Sequence, residues 1–212
     1  MSDKKEKYTE LDVEKLNVVD SNGKIKLTLF NQENIPPAIM DGRDILPGHR
    51  QSDPISGMMF YNSDGDECGG LIYGNETDED GNVSADVSLT FDQYKQDQVV
   101  QVHYSKNAEE SLYGFSVYDR PDTPLPEIIE KVNEIKNSTQ DEEDKNKELN
   151  KIYSGNAHRA FMGKERNGDM SVKLMDSMGR QRIRMVVDKN DVPRIEFLNE
   201  NGDVTYKLPP EE

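Results

Sequence analysis

The sequence predicts a mainly β protein, an antiparallel meander of repeated hairpins with an α-helical insertion, divisible into two β modules. Three observations predict it. A four-residue turn signature recurs between apolar stretches. Those stretches alternate apolar and polar side chains. One segment then switches to helical spacing.

The turn signature is Asp or Asn, two residues, then Gly. It occurs at Asp20–Gly23, Asn62–Gly65, Asp176–Gly179 and Asn199–Gly202, with Asp188–Asp191 a variant that lacks the Gly. The first side chain can accept a backbone N–H of the turn, and Gly tolerates the positive φ that follows. Two geometries satisfy this pattern: a type I turn with a bulge, or a tight type I′ turn on Asn22-Gly23 and Asn201-Gly202.

In chain order, residues 1–12 are charged and read as a flexible tail. Residues 13–122 read as an N-terminal β module. Lys15–Val19 and Lys24–Phe30 flank the first turn, with Ile25, Leu27 and Leu29 on one side. The long connection 31–56 carries Pro36-Pro37, Asp41-Gly42, Pro47-Gly48 and Asp53-Pro54, which are breaker signals. Gly57–Tyr61, Asp66–Tyr73, Ser84–Phe91, Val99–Tyr104 and Leu112–Tyr118 are the remaining strand candidates of this module.

Residues 123–155 form the helical insertion. Thr123 is the expected cap, with Pro124 in the first turn and Ile128, Ile129, Val132 and Ile135 along one face. Thr139 and Glu142 have capping-box spacing before a second, polar helix. Residues 156–209 form a C-terminal meander. The turns at 176, 188 and 199 bound strands in which Ile183, Met185 and Val187 point opposite to Arg182 and Arg184. Ile195 with Phe197, then Val204, Tyr206 and Leu208, supply the next apolar rungs.

Hydrophobic residues make up only 33% of the chain and there is no Trp. A meander with so thin a core leaves a sheet face and sheet edges to protect, so either closure of the sheet or association between subunits is expected. A net charge of -16 and a pI near 4.6 run against nucleic acid and anionic membranes as partners. One cysteine, Cys68, precludes an intramolecular disulfide. With no apolar signal-peptide core near the N-terminus, a cytoplasmic location is expected.

No linear motif for a cofactor is present, and none is expected to bind. The acidic hairpin Asn62–Gly70 offers the weak calcium candidates Asn62, Asp64 and Asp66, against the plainer reading of a surface turn. Tyr61, Asp66, Glu67 and His49 are the candidates for carboxylate-based catalysis beside the 31–56 connection. Cys68 lies among acids, which disfavours a reactive thiolate. Charge is unevenly spread: residues 159–194 hold nine Lys/Arg against five Asp/Glu. Arg180, Arg182, Arg184 and Arg194 form a candidate interaction face. The plainer alternative is a solvated face paired with nearby acids such as Glu196.

The stretch Gly57-Met-Met-Phe-Tyr-Asn-Ser-Asp-Gly-Asp-Glu-Cys-Gly-Gly-Leu71 resembles an uncharacterised bacterial family with a Phe-Tyr-Asn-x-x-Gly-Asp-Glu-Cys-Gly-Gly signature. Leu89–Gln98 and Pro193–Leu198 are similar to it as well, so the resemblance spans Lys15 to Leu208. It implies a bacterial source and no activity, cofactor or catalytic residue. The residues therefore point to a non-enzymatic assembly module that self-associates through its sheet or binds another protein. The alternative is a small-molecule or carbohydrate hydrolase.

Overall fold

The computed structural model describes residues 6–210, so residues 1–5 of the expected tail lie outside the described residues. Residues 6–14 form no regular element and are exposed. The chain then runs β1 (Lys15–Val19), β2 (Ile25–Phe30), β3 (Ile39–Met40), β4 (Arg43–Asp44), β5 (Ile55–Tyr61), β6 (Glu67–Thr77), β7 (Val83–Asp92), β8 (Gln98–Asn107) and β9 (Glu110–Asp119). Two helices follow, α1 (Leu125–Asn137) and α2 (Glu142–Ile152). The chain ends with β10 (Ala157–Lys164), β11 (Met170–Met175), β12 (Gln181–Val187), β13 (Pro193–Leu198) and β14 (Val204–Leu208).

The fold is mainly β, as the turn signature predicts. Twelve strands form one antiparallel sheet in the order β1-β2-β5-β6-β7-β8-β9-β10-β11-β12-β13-β14, and β3-β4 is a separate two-stranded hairpin. The sheet is continuous across the helical insertion, because β9 pairs with β10. It does not close: β1 and β14 are its two edges, at opposite ends of the strand order. Of the two ways to protect a thin meander, the chain itself does not use the first.

The turns have the bulged geometry. At Asp20–Gly23 the Gly23 N–H donates to Asp20 O, the Asp20 N–H donates to Lys24 O, and Asp20 Oδ1 accepts the amides of Asn22 and Lys24. The same set of bonds recurs at Asp176–Gly179 and Asn199–Gly202. Gly23, Gly179 and Gly202 carry φ of 80°, 74° and 88°, while Asn22 and Asn201 are not among the positive-φ residues, so type I′ is ruled out. Three strands, β3, β4 and β10, carry no such signature in the sequence. β10 was masked because its turn, Glu165–Gly168, opens on Glu instead of Asp or Asn, although it makes the same backbone bonds. The β3–β4 hairpin is only two residues deep and turns on Asp41-Gly42, both with positive φ.

The helix caps differ from expectation. Pro124, not Thr123, occupies the cap of α1, and no side chain bonds there. Thr123 instead presents its carbonyl to Gln96 Nε2 at 2.7 Å, tying the helix to the β7–β8 turn. Helix α2 is capped by Asp141, whose side chain accepts the Asp144 N–H, because the helix starts two residues later than a Thr139 box would place it. A carboxylate there also meets the positive end of the helix dipole.

The 31–54 connection folds back over one face of the N-terminal half of the sheet. Phe30, Ile35 and Met59 form the core beneath it, packed by Ile55, Tyr61 and Ile72. Three ties hold this roof. Arg50 bridges to Glu67 and to the carbonyls of Pro36 and Pro37. Asp66 Oδ1 accepts the Asp41 N–H at 2.8 Å. Arg43 of β4 pairs with Glu130 of α1 at 2.6 Å.

Asp191 holds φ 62° at the position that Gly fills in the sister turns. A side chain there pays for the left-handed conformation that Gly adopts freely. Asp191→Gly is expected to raise stability by about 0.5–1 kcal/mol, read as a higher urea midpoint at unchanged slope.

Candidate functional site

Tracing the register across the sheet shows that one face is apolar from edge to edge. One ladder runs Leu16, Leu29, Met58, Leu71, Leu89, Val102, Phe115, Met162, Val172, Met185, Ile195 and Leu208, one residue from every strand. The next ladder on the same face runs Val18, Leu27, Phe60, Gly69, Phe91, Val100, Val117, Ala160, Leu174, Ile183, Phe197 and Tyr206. A third, shorter one joins Tyr73, Val87, Tyr104 and Tyr113. Period-two alternation produces this face, and the matched hairpin registers keep it in phase across the sheet.

Among the described residues, nothing is laid over it. Met162 is 62% exposed, Phe91 50% and Val102 48%, and Phe115, Leu174, Met185 and Tyr206 are also exposed. The opposite face is mixed, and Phe30, Met59, Phe161 and Val186 are buried on it beside polar residues. Thr28 and Ser116 are each 1% exposed, and Ser88, Ser171 and Glu196 are buried as well. One face therefore buries apolar and polar residues together, while the other leaves apolar residues exposed. Its accessible surface of 14173 Å² exceeds the roughly 10,000 Å² expected of a compact monomer of this mass. A contiguous apolar patch of this extent marks an interaction surface.

The arginines lie on the other, polar side. Arg182, Arg184 and Arg194 share that face, since Arg184 stands opposite Glu196 and Arg194 opposite Val186 in the register. Arg184 Nε bonds Glu196 at 2.6 Å and Arg194 Nε bonds it at 2.9 Å. Arg194 also reaches Asp188, and Arg180 and Arg182 both reach Asp176. Each guanidinium is thus answered by an acid of the same sheet.

The weak candidates from the acidic hairpin separate in space. Asn62 Oδ1 accepts the amides of Asp64, Gly65 and Asp66 and so is spent on its own turn. Asp64 accepts the Tyr94 hydroxyl at 2.8 Å, and Asp66 is buried against the Asp41 amide. Among the described residues, no group of three or more His, Cys, Asp or Glu side chains is placed to hold a metal ion.

The catalytic candidates are divided by a cavity of about 340 Å³ between the polar sheet face and the 31–54 roof. His49 and Glu67 line it, whereas Tyr61 and Asp66 do not. Glu67 is held by a two-point pair with Arg50, at 2.9 and 2.6 Å. Burial first, and the nearby Glu67 second, push the Tyr61 hydroxyl up. Burial also pushes the Cys68 thiol up, helped by Asp92 and Glu67, so it stays protonated.

Asp92 also lines the cavity, and no sequence pattern singles it out. Burial, reinforced by Glu67 and then Asp97, pushes its carboxyl up to about 7, despite Arg120 and Arg50. In a chain with 42 Asp and Glu residues, one strand-end aspartate carries no distinguishing pattern. Only the fold brings it against Glu67 and Asp97.

No protein-family model matches the chain, and no curated protein matches it. Among the described residues, no helix is long and apolar enough to cross a membrane.

The raised carboxyl has a stability consequence. Between about pH 4 and pH 7 the folded state keeps the Asp92 proton that the unfolded state has released, so this group lowers stability as pH rises through that window. Above pH 7 its effect is constant. Asp92→Asn should gain stability over the wild type by up to about 3–4 kcal/mol at pH 8 and by much less at pH 4, measured as the difference between two urea titrations.

Proposed function

We propose that the chain is a non-enzymatic assembly module that self-associates by laying its apolar sheet face on that of a second copy. The observation that carries this reading is the unbroken apolar ladder across all twelve strands. A second copy is the occupant that its area fits. The surplus of about 4,000 Å² over a compact monomer, to which the extended residues 6–14 contribute, is ample for an obligate dimer, which buries about 2,000–5,000 Å² across both partners. Two such faces would pack about 10 Å apart as a sandwich, with side chains interdigitating. Isologous pairing also satisfies both copies at once and closes the assembly.

A lipid surface fits less well. The apolar band is three rungs deep, about 14 Å along the strands, against about 25 Å for a membrane barrel. β1, β2, β13 and β14 are five or six residues long, shorter than the roughly nine needed to span. The arginines face away from this surface. A hydrolase reading draws on the cavity, where the raised Asp92 carboxyl stands near Glu67. It is weakened by the commitment of both Glu67 oxygens to Arg50.

Light scattering after size exclusion should give twice 24.2 kDa for the wild type down to low micromolar concentration. The double variant Val102→Asp/Phe115→Asp should weaken association at least about 100-fold, because each carboxylate would be buried unpaired. Arg182→Glu, on the other side of the sheet, should leave the mass unchanged. A wild-type monomer at 24.2 kDa at all concentrations contradicts the proposal.

A further inference from the structure

We propose that the cavity under the 31–54 roof binds a small aliphatic primary amine in its ammonium form. The site lies on the opposite face from the apolar ladders and does not rest on the self-association reading.

The cavity has the size and make-up of a ligand pocket, with apolar walls and a few converging polar groups. Its volume of about 340 Å³ suits a molecule of a few to about ten heavy atoms. The sheet supplies its floor from β5 to β8. The roof supplies Ile39, Ile45 and Leu46, and α1 adds Leu125. The roof is held by the Arg50, Asp66 and Arg43 ties, so the space is built into the fold and not left by a loose loop.

Charge selects the ligand. Five carboxyls line the space, Asp53, Glu67, Asp86, Asp92 and Asp97, against a single guanidinium, Arg50. Four of the five Arg50 N–H groups are spent on Glu67 and the carbonyls of Pro36 and Pro37, so most of its donor capacity is answered within the protein. The other acids nearest Asp92 are answered: Glu67 by Arg50, and Asp97 by Arg120 at 3.4 Å and the Gln98 amide. Asp92 accepts no hydrogen bond from a described residue, although burial costs its charge heavily. An ammonium beside it would supply both the missing donors and the missing charge.

The lining narrows the class further. Metal chelation is not supported, since no three ligating side chains converge among the described residues. No aromatic residue lines the space, so the cage that suits quaternary ammonium ions is not there. Three N–H donors on a flexible aliphatic stem match carboxylates set in apolar walls.

Binding should be linked to pH through Asp92. The charged groups around it are Glu67 on β6, Asp97 in the β7–β8 turn, Arg50 in the roof and Arg120 after β9. An ammonium favours the ionised carboxyl, so binding should tighten as pH rises through 7 and release a proton below it.

Titration calorimetry on the full chain with 1,5-diaminopentane tests the proposal, with tetramethylammonium and acetate as controls at fixed ionic strength. The expected result is saturable 1:1 binding at pH 8, about tenfold weaker at pH 6, and at least tenfold tighter than tetramethylammonium. Asp92→Asn should weaken binding at least tenfold, while Asp78→Asn on the exposed β6–β7 turn should not. Leu46→Trp, which fills the cavity from the roof, should also abolish binding, and circular dichroism confirms that both site variants fold. No heat at 10 mM diamine, equal binding of tetramethylammonium, or unchanged binding by folded Asp92→Asn or Leu46→Trp would each overturn the proposal. Failure here with an intact dimer leaves the assembly reading standing, and the reverse result separates them equally well.

Discussion

The structure depends on one constraint: a sheet must cover its apolar face, and among the described residues nothing is laid over the apolar face of this sheet. Among the described residues, the helical insertion and the 31–54 connection are the elements available as a second layer. The connection is committed to the opposite, polar face by Arg50, Asp66 and Arg43. The hydrophobic driving force of the fold is therefore only partly spent within one chain. The low apolar content fits this arrangement.

The polar face explains how such a sheet persists. Its buried polar groups are cross-linked among the packed apolar ones. Glu196 is shared by Arg184 and Arg194, Thr28 donates to Asn17, and Gln101 joins Ser88 to Tyr118. Satisfied networks of this kind fix register, because a one-residue slip would strand every partner. They add modestly to stability. The large favourable term is left to the apolar face, where association would supply it. Folding and assembly are coupled on this account, as in obligate homodimers.

Much of the fold is legible in the sequence because its rules are local. An Asp or Asn that accepts two turn amides, followed by a Gly at positive φ, is a short-range device. Each copy therefore predicts its own hairpin. Alternation in 183–187 states the two faces directly. The breakdown comes where the signal is chemical but the position is not. Glu165 opens a turn of the same geometry, yet Glu is too long for the usual side-chain bond, so β10 was hidden. Thr123 and Thr139 look like caps, but the start of each helix is set by Pro124 and Asp141. The cavity was only half visible. His49 and Glu67 were candidates for reasons of composition. Asp92 was not, because its environment comes from β6, the β7–β8 turn and the roof. The apolar face was legible strand by strand, yet its continuity across twelve strands depends on register, which no single segment encodes.

The central claim is that the apolar face is covered in solution. Oxidative footprinting of the methionines tests it on the face itself. Met162 is 62% exposed in the single chain and Met178, in the β11–β12 turn away from the face, is 73% exposed. With limiting peroxide and peptide mass spectrometry, the account predicts that Met178 oxidises quickly while Met162, Met170 and Met185 are protected at least tenfold. Equal oxidation of Met162 and Met178 at micromolar protein would show an open face and contradict the account.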